Sequence, residues 1–237
     1  MKTILLSTYY QLLTFIRVKK AVFFTFFFPL FIFVVFSMVW GYNNPDYLKF
    51  LMSGVLIMTV ASDALYTVGS VIMNYFHTGL VKFFKASPYS FFRHILALIL
   101  SRLIIILFAS SIVLIISVLF FDLSIGAKEL GYIYAGILAG FVLFSFMGLL
   151  ISISFKDKSD DMSIINFVYF VMIFLSDTFY PLTELNPVVG KVVKISPISP
   201  VLELTRGSTS GIWILLFWMF IFIGLFVLLF NKKQLKR

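Results

Sequence analysis

Few residues in this chain could carry out chemistry. It has 237 residues, no cysteine, two histidines and ten acidic side chains. Without cysteine there is no disulfide framework, iron–sulfur site or thiol nucleophile. His77 has no second ligand near it in sequence, so it is expected at a polar surface and not on a metal, and no metal site is expected. No G-x-x-x-x-G-K-[ST] run is present, so the chain is not expected to bind ATP through a P-loop. The nearest approach to a nucleophile elbow, GSTSG at 207–211, places Thr209 where serine is needed. A membrane-embedded hydrolase or acyltransferase therefore has little support, and the chain is not expected to be an enzyme.

What remains are charges inside apolar runs. Asp63 and Arg102 each fall roughly 12–15 Å from one end of a long hydrophobic segment. An unpaired charge at that depth costs several kcal/mol. An Asp63–Arg102 ion pair joining two helices is therefore expected, with a structural role. The rival role is proton or ion coupling in a secondary carrier that uses Asp63 and Asp177. An inverted repeat would favour that carrier, and none stands out.

The elements around these residues follow from composition. Hydrophobic residues make up 61% of the chain, charged residues 12%, and the mean hydropathy is +1.07. A soluble domain carries about 25% charge. So much apolar surface needs the bilayer as solvent. The net charge of +9 fits basic residues gathered at the cytoplasmic ends of spans, and nucleic-acid binding is not expected. Six spans are expected, at about 21–41, 50–73, 95–121, 132–154, 163–178 and 211–230. The fold class is an all-α membrane protein, one transmembrane domain over 1–237.

With the N-terminus inside, the outer segments hold only Lys49, Lys128, Lys191, Lys194 and Arg206 of the 19 Lys and Arg residues. All the others except Arg102 fall on the cytoplasmic side, which places both termini there. Ahead of the first span, Leu5, Tyr9, Leu12, Leu13 and Ile16 share one helical face, as in a helix lying in the interface. No small-residue cleavage site follows it.

Several segments carry patterns of their own. Thr59, Ser62, Asp63, Tyr66, Ser70 and Asn74 line one face of the second span. Ser163, Asn166, Tyr169, Ser176 and Asp177 form a comparable stripe on the fifth. Such faces serve either hydrogen bonding between helices or a water-accessible pathway, and the spacing leaves both open. Pro29 should kink the first span, within FFTFFFPLFIF. Ala135, Gly136, Ala139 and Gly140 allow a close helix contact on the fourth.

The loop NYFHTGLVKFFKASPYSFFRH (74–94) predicts a short cytoplasmic helix. Its apolar face is Phe76, Leu80, Phe83 and Phe84, with Lys82 and Lys85 opposite. Such a helix could float on lipid or dock into a groove on a soluble partner. The insert FYPLTELNPVVGKVVKISPISPVLELTRG (179–207) carries four of the seven prolines, Pro181, Pro187, Pro197 and Pro200. It is too apolar for a solvated loop, and irregular backbone at membrane depth must be buried in protein or line a wet cavity. Two short re-entrant helices before the last span, capping the outer end of the bundle, are expected.

Six spans with both ends inside, the amphipathic N-terminal helix, the TGLVKFFKASP loop and the order FYPL, NP, SP and LTRG together resemble the type-2 ABC exporter permeases. The resemblance covers nearly the whole chain. One departure is NYFHTG, where many drug-export members carry an acidic, Glu-rich run before the TG.

The resemblance implies the membrane subunit of an ATP-driven exporter in a bacterial cell membrane. Two permease chains, alike or different, would pair around a path lined by the first, second and fifth spans, with Thr59, Ser62, Tyr66, Asn166, Tyr169 and Asp177 on it. Two P-loop ATPase subunits would bind below, carrying the ATP and magnesium that this chain does not bind. Phe76, Leu80, Lys82, Phe83, Phe84 and Lys85 would form the coupling helix. Tyr180, Pro181, Pro187, Pro197 and Pro200 would belong to an external gate. An aromatic, apolar path suits an amphipathic drug, a peptide or a lipid-linked molecule.

Overall fold

The computed structural model describes residues 2–41, 44–80, 90–154, 158–182 and 187–234. The protein is all-α, 86% helical, and the described residues include no strand. Helix α1 (Lys2–Arg17) is the amphipathic segment, with Arg17 in its last turn, where it complements the helix dipole. Its Thr8 and Phe15 are buried, and it packs along α5 (Phe91–Phe121).

Helix α2 (Lys19–Trp40) is the first candidate span. The backbone widens into a π-helical stretch over Phe23–Phe27, directly before Pro29. Proline has no N–H to donate and its ring crowds the preceding turn, so the irregularity falls where the sequence requires one. Beyond it, Pro29, Phe33 and Ser37 form the single buried face.

Helix α3 (Pro45–Gly69) is capped by the Asn44 side chain, which accepts from the Tyr47 N–H at 3.0 Å. Pro45 opens it, a position where the missing N–H costs nothing. It is buried on nearly every side and ends in a second π-helical stretch, Ala64–Gly69. Helix α4 (Ser70–His77) continues it.

Helix α6 (Ala127–Ser154) backs α3. A Cβ on Gly69 would strike the Gly148 backbone, so the two helices touch main chain to main chain. Lys49 and Glu129 tie their ends together with a 2.9 Å ion pair. The small residues of α6 meet a short helix of the insert: Gly136 lies against Thr205 and Gly140 against Val201.

Helix α7 (Lys158–Phe174) is shorter than α2, α3, α5 and α6, with its apolar part over Met162–Phe174. Among the described residues five helices are long and apolar enough to cross a membrane: α2, α3, α5 (from Arg93), α6 and α10 (Ile212–Gln234). The fifth expected span corresponds to α7. It stops at Phe174 and not at 178; past its end Ser176 donates to the Ile173 carbonyl at 2.9 Å and shares a 2.5 Å hydrogen bond with Thr178. Small hydroxyl side chains compete in this way with helical backbone bonds. Ser176 and Asp177 therefore leave the stripe that Asn166 and Tyr169 occupy.

The insert forms α8 (Pro187–Ile195) and α9 (Ser199–Thr205). Pro187 opens α8, Pro197 lies in the intervening turn, and Pro200 sits buried in the first turn of α9. The indole N–H of Trp218 on α10 donates to the Ile195 carbonyl at 2.9 Å and holds the end of α8.

Candidate functional site

A cavity of about 650 Å³ lies between α2, α3 and α7. Phe24, Phe28 and Ile32 line it from α2, and Phe170, Ile173 and Phe174 from α7. The α3 wall is polar: Thr59, Ser62, Asp63, Tyr66 and Thr67. This wall coincides with the onset of the π-helical stretch, which spans Tyr66 and Thr67. π-Bulges are frequent at functional sites.

The polar residues form local networks. The Tyr66 hydroxyl donates to Asn166 Oδ1 at 2.6 Å, and the Tyr66 and Tyr169 rings meet edge to face with centroids 5.6 Å apart. Thr59 bonds back to the Val55 carbonyl at 2.8 Å, within its own helix. Arg102 reaches in from α5, its Nη1 3.6 Å from Asp63 Oδ1. That separation makes a charge pair and not a short hydrogen bond. Asp63 Oδ2 and Arg102 Nε have no hydrogen-bond partner among the described residues. The Phe15 ring of α1 lies against the guanidinium, 5.0 Å from centroid to Cζ, which adds a cation–π contact.

Five of the six expected pathway residues, Thr59, Ser62, Tyr66, Asn166 and Tyr169, share this cavity with Asp63 and Arg102. Asp177 does not. It lines a separate recess of about 80 Å³ with Glu203 and Arg206. The two carboxylates named for an ion-coupled carrier are thus in different places.

Aromatic side chains stand at the far end of the cavity. Phe179 lines it and packs on Phe36, with ring centroids 5.3 Å apart. Tyr180 meets Trp40 edge to face at 5.8 Å, and the Tyr47 hydroxyl reaches the Phe179 carbonyl at 3.4 Å. Pro181, next along, is half-buried.

The residue that ties this segment down is Arg206, one of the expected outer charges and the arginine of LTRG. Its Nε donates to Ser53 Oγ at 2.8 Å, and its Nη2 to the carbonyls of Asp177 at 2.5 Å and Phe50 at 3.3 Å. Its guanidinium lies 3.8 Å from the Phe50 ring centroid. Burial pulls its pKa down to about 10 while Asp177 and Glu203 oppose the fall, so it stays cationic at neutral pH. The signal was present in the sequence: a charge inside an apolar insert needs partners, as Arg102 does inside a span.

The expected coupling helix is only partly described. Phe76 falls on α4, and Gly79, at φ +73°, interrupts the helix between Phe76 and the half-buried Leu80. The two therefore do not share one continuous helix, because the left-handed glycine ends it. Lys82, Phe83, Phe84 and Lys85 lie outside the described residues.

The cavity offers aromatic walls and a few fixed polar groups, with no paired nucleophile and base. Such a lining suits holding a molecule. No curated protein matches the chain. The model of one family, the ABC-2 type transporters, matches residues 3–209. An all-helical chain with several apolar helices of spanning length, matched over most of its length by that family, is a multi-pass membrane permease subunit that works with ABC ATPase subunits, and it belongs to the ABC-2 type transporter family.

Proposed function

We propose that this permease is the membrane half of an ATP-driven exporter, in which two permease chains enclose the path and two separate ATPase subunits supply the work. The observation that carries this is the cavity between α2, α3 and α7, with its polar wall on α3 and its aromatic walls opposite. Its contents suit an amphipathic cargo: a drug, a peptide or a lipid-linked molecule. The chain itself binds no ATP or magnesium; those reside on the ATPase. In this reading both termini lie in the cytoplasm, which the Lys and Arg bias supports, and the membrane is that of a bacterial cell. A second permease chain packs against α2 and α7, whose apolar side chains Phe23, Phe31, Phe167 and Phe174 are exposed.

The insert is a re-entrant outer gate. Thr178, immediately before the insert, sits against Gly54, nine residues or about 13 Å into α3 from its outer start at Pro45. Val201 sits against Gly140, deep along α6. The aromatic pairs Phe36–Phe179 and Trp40–Tyr180 close the cavity, and Arg206 is the hinge that holds the closed form.

The test is a native pull-down of tagged permease with an ATPase assay on what co-purifies. A P-loop ATPase that comes down with the wild type and is lost from Phe83→Asp supports both the exporter and the coupling helix. A well-folded permease that brings down no ATPase overturns them.

A further inference from the structure

A second cavity of about 460 Å³ lies on the opposite face of α2 from the first. Helices α1, α2 and α5 form its walls, with Phe15 and Ile16 from α1, Val22 from α2 and Ile104 from α5. No polar side chain contributes. Its volume is that of a ligand site, about 300–1,000 Å³. Groove residues Ile16 and Val22 bracket the turn from α1 to α2, and that turn carries Arg17, Lys19 and Lys20, all exposed. Residues 1–45 contain no Asp or Glu, so nothing acidic on α1 or α2 competes for these cations. An apolar slot close in sequence to three exposed cations suits an acyl chain below an anionic headgroup.

We propose that this groove binds an anionic phospholipid, one acyl chain lying between α1, α2 and α5 and the phosphate held by Arg17, Lys19 and Lys20. The lipid would also bear on the transport cavity. Phe15 lines both cavities, and its ring lies against Arg102. A chain seated in the groove packs behind Phe15 and keeps that ring, and with it the guanidinium, in place. The site rests on the membrane placement above, but not on export or on any ATPase.

The experiment is native mass spectrometry of the permease in complex with its ATPase, and of the permease alone, after exchange into equal amounts of phosphatidylglycerol and phosphatidylcholine. The wild type should retain one phosphatidylglycerol per permease chain in preference to phosphatidylcholine. Each cation near a membrane surface multiplies the affinity for an anionic lipid by roughly five. The Arg17→Gln/Lys19→Gln/Lys20→Gln variant should therefore lose up to about a hundredfold of that preference. Ile104→Trp, which fills the groove from its exposed wall, should lose the bound lipid of either kind. Equal retention of the two lipids by the wild type overturns the proposal, as does an undiminished preference in the triple variant. A lipid bound by permease that captures no ATPase would sink the exporter and leave this site standing.

Discussion

Helices α2 and α3 line the same cavity, yet 83% of the α3 candidate span is buried and only 17% of that of α2. α3 is locked from several directions. Gly54 meets the Thr178 carbonyl, Gly69 meets Gly148, Lys49 pairs with Glu129, and Arg206 grips Phe50 and Ser53. α2 buries a single stripe and offers phenylalanines on its other sides. The polar wall of the cavity is therefore fixed scaffold, and the aromatic wall is the one free to move or to meet a second chain.

The contrast breaks most visibly at the glycines. Gly54→Leu puts a side chain into the Thr178 carbonyl, where backbone cannot yield. Overpacking of this kind costs about 1–3 kcal/mol even where neighbours adjust. We expect little or no monodisperse protein by fluorescence-detected size exclusion.

Asp63→Asn should follow. Removing one partner of a buried charge pair costs about 3–5 kcal/mol. The Phe15 ring remains on Arg102 here, which favours the lower end. Thermal unfolding in detergent should show the drop, and Asp63→Leu/Arg102→Met should recover most of it. An unchanged melting temperature for Asp63→Asn would remove the pair from the scaffold.

Arg206→Met comes third, at about 2 kcal/mol, since hydrogen bonds from a charged group contribute about 1.5–3 kcal/mol. Its sharper effect should be functional: with the insert loosened, basal ATPase activity of the complex should rise while stimulation by cargo falls. Phe31→Ala, on the exposed face of α2, is the smallest. It should change the stability of a single chain by no more than about 0.5 kcal/mol. It should still weaken the pairing of two permease chains, read by native mass spectrometry.

Most of the scaffold was legible because hydropathy and proline act locally. The amphipathic pattern of Leu5, Tyr9 and Ile16 became α1, and Pro187 and Pro200 opened the two helices of the insert. The stripe Thr59–Ser62–Tyr66 found its cavity because residues three and four apart share a helical face. Other features depend on contacts distant in sequence, or on backbone that no periodicity encodes. The π-helical stretch beside Asp63 is one. The stop of α7 at Phe174, which carries Asp177 out of the cavity and into reach of Arg206, is another. Arg206 itself lies 153 positions from its partner Ser53.

The chain has no cysteine, so a single engineered thiol gives an unambiguous signal. The most direct test of the central claim is Ser62→Cys in the assembled permease–ATPase complex. It would be probed with a membrane-impermeant maleimide from the external side, with and without nucleotide trapping. If the cavity is a path gated by the insert, Ser62→Cys should be protected in the resting complex and labelled once ATP is trapped. Labelling that is the same in both states would contradict the account.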